Sequence, residues 1–301
     1  MITRTKPHID VATIVTNQIL DALDRGIVPW RKPWKTELPK NLISGKAYRG
    51  INLLLLSLSP YASPDYLTYK QVEELGGHVV AGSKGFRIVY WRILEHVSPQ
   101  GELTEIPLLK YYVVFNLEQV GGISPDKLPK TETISINPIQ ECEHVVNRME
   151  HRPQIINAQD AHYNRAIDTV GIPPRDRFTS PEEYYSTLFH ELVHSTGHPS
   201  RLDREVKMPL AAMGQDYSRE ELVAEIGSAF LCAHTHISPS TIQNQASYIA
   251  GWLKALNNDR WCVISASAAA NKAVNYILGL KDNNIAETTT WNGDYSVSYS
   301  S

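Results

Sequence analysis

Residues 180–197 dictate one helix and fix what it must present. Ser180-Pro181-Glu182-Glu183 is a capping-box start with proline at the first helical position. Gly197 stops the run after about Thr196. Between these signals lies His190-Glu191-Leu192-Val193-His194. Positions i and i+4 of a helix share a face, so the two imidazoles project side by side. Leu188, Phe189, Leu192 and Val193 around them are apolar, so the helix must be covered by a core. Two imidazoles at this spacing can both bind one Zn²⁺. Glu191 beside them can take a proton from a water whose pKa the metal lowers.

A catalytic zinc takes three protein ligands and keeps a fourth position open. The metzincin pattern places its third histidine where this chain has Ser200, and His198 lies past the helix end. The next helix offers Glu221 and Glu225, four residues apart and on a shared face. Ser218-Arg219-Glu220-Glu221 is a second capping box, which gives Glu221 a local partner in the Ser218 amide. Glu225 has no such role and sits between Leu222-Val223-Ala224 and Ile226-Gly227. A carboxylate there is costly unless it is paired or bound to a metal. The expected set is therefore His190, His194 and Glu225 on the metal, Glu191 as base, and Glu221 orienting a histidine from behind. A glutamate as third ligand makes the centre gluzincin-like. The expected ion is Zn²⁺, with another divalent ion such as Mn²⁺ as the alternative.

The first part of the chain has a different character. Residues 1–130 carry 16 Lys and Arg against 12 Asp and Glu, and the remainder 13 against 20. Trp30-Arg31-Lys32-Pro33-Trp34-Lys35 interleaves aromatic rings with cations, and Lys46, Tyr48 and Arg49 follow. Rings stack unpaired bases and cations neutralise phosphates, so these residues are candidates for holding single-stranded DNA. The competing reading puts the tryptophans in the core. A further basic-aromatic group, Lys84-Gly85-Phe86-Arg87 with Tyr90, Trp91 and Arg92, opens a β-hairpin expected over Phe86–Val97 and Pro107–Leu117.

Helices are expected near 9–25, 68–75, 139–149, 240–257 and 263–280, with short strands in 155–172. The Gly- and Pro-containing stretch 121–129 suggests a boundary, giving domains 1–130 and 131–301. Ala166–Pro174 stands where an edge strand could add an extended peptide. The fold expected is α+β, a small mixed N-terminal domain followed by a helix-rich one. Three scattered cysteines form no disulfide framework. No apolar run approaches membrane-spanning length and no signal-peptide core is seen. The location expected is the cytoplasm, away from the membrane.

Pro29–Trp34, Gly45–Asn52, Leu188–His198 and Glu221–Glu225 together resemble the ArdC-type antirestriction proteins. The N-terminal part is also similar to that of TraC-type plasmid primases. The resemblance spans about residues 8–280. It implies a single-stranded-DNA-binding domain, a zincin-like metallopeptidase domain, and protection of incoming plasmid DNA from restriction during conjugation. The alternative is a pure DNA-binding shield whose metal site is structural or vestigial. A protein substrate for the peptidase would follow from the first reading.

Overall fold

The computed structural model describes residues 10–31, 37–97, 103–128, 137–204, 219–238 and 246–280, with the backbone alone for 91–97, 103–109 and 246. Helix α1, Val11–Asp24, begins at Asp10, whose carboxylate accepts from the Ala12 amide. It buries Val15, Ile19 and Leu23 and ends at Gly26, whose φ of 76° suits glycine. A 3₁₀ turn, Pro29–Arg31, follows. Then come β1 (Lys40–Asn41), α2 (Ile51–Ser57), β2 (Asp65–Thr68) and α3 (Tyr69–Glu74). The apolar run Leu53–Leu56 is the buried body of α2.

The expected hairpin forms as a long ribbon, β4 (Phe86–Val97) against β5 (Leu103–Asn116), with β3 (His78–Val79) paired to β6 (Val120–Gly121) beside it. The larger sheet has the order β1-β2-β5-β4. Its β4 edge is closed at Val89 by Asn52. The Asn52 amide donates to the Val89 carbonyl at 2.8 Å, and its oxygen accepts from the Val89 amide at 2.6 Å.

After α4 (Pro138–Arg148), strands β7 (Gln154–Asn157), β8 (His162–Asn164) and β9 (Thr169–Ile172) form a second sheet of order β7-β9-β8. Strand β9 pairs parallel with β7 and antiparallel with β8, and all four of its residues are buried. This corrects the expectation of an edge at 166–174: both sides of β9 are already paired, so it has no free edge to offer a peptide.

Helices α5 (Pro181–Ser195), α6 (Arg219–His234), α7 (Ala246–Asn258) and α8 (Cys262–Ile277) follow among the described residues, and α6 packs on both α5 and α8. Gly227 makes the α5–α6 approach. A Cβ there would lie 2.8 and 2.9 Å from the two methyl groups of Val193. One residue on, the Ser228 hydroxyl donates to the Ser186 carbonyl at 2.8 Å.

The fold is α+β. A single hydrophobic cluster takes in Ile19, Trp30, Leu54, Phe189, Leu222, Trp252 and Val263. The stretch 121–129, where a boundary was expected, is described as far as Leu128 and holds the end of β6 and a 3₁₀ turn, Pro125–Lys127; the cluster takes in residues from both sides of it. Among the described residues, no helix is long and apolar enough to cross a membrane.

Candidate metal centre

The α5 cap is half of the expected box. Ser180 accepts from the Glu183 amide at 3.2 Å, while the Glu183 carboxylate takes the Thr179 amide and hydroxyl, at 2.8 and 2.6 Å. Leu188, Phe189, Leu192 and Val193 are 2% exposed or less, so the core fixes the helix rotation. His190 and His194 are left half-buried on the remaining flank. Arginines take up carbonyls at the helix end. Arg204 donates to Val193 at 2.9 Å, Arg201 to Ser195 at 2.7 Å and Arg165 to Gly197 at 2.7 Å. Their charges also complement the negative end of the helix dipole.

The two Nε2 atoms of His190 and His194 are 3.1 Å apart. Glu221 brings one carboxylate oxygen to 3.4 Å from His190 Nε2 and the other to 3.5 Å from His194 Nε2. Donors held about 2.0–2.1 Å from one tetrahedral ion lie about 3.3 Å from each other. The separation of the two nitrogens fits that requirement, and the Glu221 carboxylate spans them with one oxygen towards each. Two imidazole nitrogens and one carboxylate oxygen are also the donor set of a site that keeps a position open.

A supporting layer stands behind His194. Its Nδ1 lies 3.5 Å from Glu220, and Arg204 holds Glu220 at 2.6 Å. Such a carboxylate fixes the imidazole's orientation and tautomer. Burial disfavours a charged His194, but Glu220 and Glu221 outweigh it and raise its pKa to about 10. Burial alone would raise Glu221, yet His190 and His194 hold its carboxyl far below the usual range. Glu220 is lowered in the same way, against burial, by His194 and Arg204. The pocket therefore stabilises positive charge between the histidines and Glu221, which is the electrostatic demand of a cation. Glu191 is buried beside this group, and among the described residues no side chain pairs with its carboxylate.

Glu225 is not part of this cluster, which corrects the expected ligand set. Its carboxylate accepts from Arg31 at 2.8 Å and from the Tyr248 hydroxyl at 3.1 Å. The partner that a carboxylate among apolar neighbours requires is a guanidinium from the N-terminal part. Ser218 lies outside the described residues, so the cap assigned to Glu221 does too.

Arg31 lies 3.8 Å above the Tyr248 ring as well, and is engaged inside the protein rather than displayed. Trp30 is 1% exposed, meets Trp252 edge-on at 5.7 Å and donates to the Tyr248 hydroxyl at 3.2 Å. Both expectations of DNA contact are thus corrected, because these side chains join two parts of the core. Lys46 and Arg49 are exposed, and Tyr48 is half-buried with its ring edge-on to Tyr66. Lys32, Trp34 and Lys35 lie outside the described residues. His198 bonds Ser200 at 2.7 Å and stays outside the cluster. The Glu220–Arg204 pair escaped sequence reasoning; its one signal was a second acid adjoining Glu221.

Such a helix, its two histidines facing a glutamate on the helix that packs across it, defines a zincin-like metallopeptidase domain. Residues 140–269 match the model of a zincin-like metallopeptidase family, MPTase-PolyVal, and residues 9–115 match the N-terminal domain of the anti-restriction factor ArdC. The chain belongs to the ArdC antirestriction family. The metal-free crystal structure of ArdC from the R388 plasmid is 33% identical, with a TM-score of 0.71 over 90% of this chain and 99% of that one. The Mn(II)-bound structure of the same protein is 34% identical, with a TM-score of 0.71 over 90% and 97%. A DNA primase TraC of Escherichia coli is 33% identical over 92% of this chain, which spans only 28% of that primase's length. Protein y4eC of Sinorhizobium fredii is 29% identical, with 89% of this chain and 91% of that protein covered.

Proposed function

We propose that this chain is a cytoplasmic antirestriction protein of conjugative plasmid type. It binds single-stranded DNA and carries a divalent-metal peptidase centre, protecting incoming DNA from host restriction. The observation that carries the peptidase reading is the convergence of His190, His194 and Glu221, whose ligand atoms all lie within 4.8 Å of one another. These three residues would hold the ion. The nitrogen-rich donor set suits Zn²⁺, and the Mn(II)-bound relative supports a divalent ion in general. The ion would supply Lewis acidity and lower the pKa of water.

The protein's own residues do the rest. Glu220 and Arg204 keep the His194 ring in place. Glu191 adjoins His190 on α5 and supplies the carboxylate. It accepts the proton of an attacking water and returns it to the leaving amine of a peptide substrate. The DNA reading is supported by the family match over 9–115 and by the basic excess of residues 1–130.

Glu191→Gln tests the centre. The variant keeps bound metal and single-strand affinity and loses peptide hydrolysis on a casein-type panel. In a conjugation assay, it also loses protection of incoming DNA. Protection at the unmodified level would leave a DNA-binding shield whose metal site is not used.

A further inference from the structure

Among the described residues of the N-terminal part, the exposed aromatic side chains are Tyr69 of α3 and Tyr111 and Tyr112 of β5. Side chains alternate across a strand, so Tyr111, Val113 and Phe115 of β5 share one face. The register pairs Arg87 with Val113, so Arg87 lies on the same face. Tyr111 is 37% exposed and Val113 39%, although both are large and apolar in body. Tyr69, 55% exposed, continues the strip, with its ring 6.4 Å from that of Phe115. At the other end the Arg87 guanidinium lies 5.9 Å from the Tyr111 ring. Gly85 keeps the face flat. A Cβ there would come to 2.3 Å from Val113 and 3.0 Å from Phe115.

We infer that this strip, Tyr69–Phe115–Val113–Tyr111 with Arg87, is the platform on which single-stranded DNA lies. The inference rests on the DNA-binding reading above and gives it a surface. Alternate residues of a strand stand about 7 Å apart, a step that one extended nucleotide can span. Aromatic faces offer sequence-tolerant stacking to open bases, and the guanidinium offers a phosphate contact. A duplex hides its base faces and gains little from such a surface. The strip also lies within residues 9–115, in the half of the chain with the basic excess. Tyr90 and Tyr112 pair edge-on at 6.0 Å on the opposite face of the ribbon, which provides an internal control.

The test uses the full chain and a fluorescently labelled oligo-dT, read by anisotropy. Tyr111→Ala and Tyr69→Ala each weaken binding by roughly 5- to 150-fold, with melting temperature unchanged because the rings are exposed. Arg87→Ala flattens the log–log salt dependence by about 0.7. Tyr112→Ala leaves affinity unchanged. If the unsubstituted chain binds oligo-dT and the Tyr69, Arg87 and Tyr111 variants bind equally well, the platform is overturned while the DNA reading stands. An equal loss in Tyr112→Ala overturns the choice of face. If the unsubstituted chain binds no oligo-dT, both fall.

Discussion

Replacing Glu221 and Glu225 separately by glutamine gives two unlike variants, although the residues stand one helical turn apart. Among the described residues, Glu221 is the carboxylate whose oxygens reach both histidines, at 3.4 and 3.5 Å. Its amide would offer a neutral oxygen in place of a charged ligand. Losing a group that merely supports a ligand costs about 10–100-fold in metal affinity, so losing a ligand's charge should cost more than that. Glu225 answers Arg31 instead. The two side chains are 20% and 10% exposed, so the guanidinium would be left facing an amide with little water to replace the carboxylate. Hydrogen bonds to charged groups contribute about 1.5–3 kcal/mol. With one bond kept by the amide and partial solvation, about 1–2 kcal/mol is expected. In a chain of 301 residues that is a fall of about 1.5–3 °C in melting temperature. Competition titration with a zinc chelator reads the first effect, and calorimetry of the metal-free forms reads the second. A Glu225→Gln protein that loses metal, beside a Glu221→Gln protein that keeps it, would refute the reasoning.

Three other outcomes follow from the packing. Trp30→Ala should cost about 3–5 kcal/mol of stability, with DNA affinity declining only as the protein unfolds; an unchanged melting temperature with lost affinity would return Trp30 to the binding surface. Arg201 holds the Asp168 carboxyl below its ordinary 3.8, so this pair stabilises the fold above that pH and the contribution disappears as pH falls through the lower folded value. Asp168→Asn should therefore be less stable at neutral pH and converge with the unsubstituted chain in acid; urea midpoints that keep a constant gap would contradict this. Gly227→Ala places a methyl group 2.8 and 2.9 Å from the Val193 methyls. Overpacking of that kind costs about 1–3 kcal/mol and pushes α6, with Glu221, off α5; Gly227→Ala with full zinc affinity would show that the approach of the helices does not set the site.

Wherever a signal was local, the sequence alone determined the outcome. The start at Ser180, the stop at Gly197 and the apolar face between them fix α5, and with it the side-by-side histidines. Alternating β-branched and aromatic residues fix the β4–β5 ribbon. The helices expected over 9–25 and 68–75 form as Val11–Asp24 and Tyr69–Glu74, within a residue or two at each end. The third ligand was of another kind. Glu221 and Glu225 lie four apart on one helix, and periodicity cannot separate them. A carboxylate among Leu222, Val223, Ala224 and Ile226 does need a partner, but that partner, Arg31, is 194 positions away in the chain, where no local pattern points to it. The same docking removed Trp30 from the surface, because a tryptophan beside cations reads alike in a core and on a stacking face. Likewise β9 looked like an edge until β7 and β8 paired on its two sides. Helix rotation and capping are decided by neighbours a few residues away. Which buried charge meets which is decided by the close approach of α6 to α5 at Gly227 and by the seat of the Pro29–Arg31 turn against α6. Those distances exist only once the whole chain has packed.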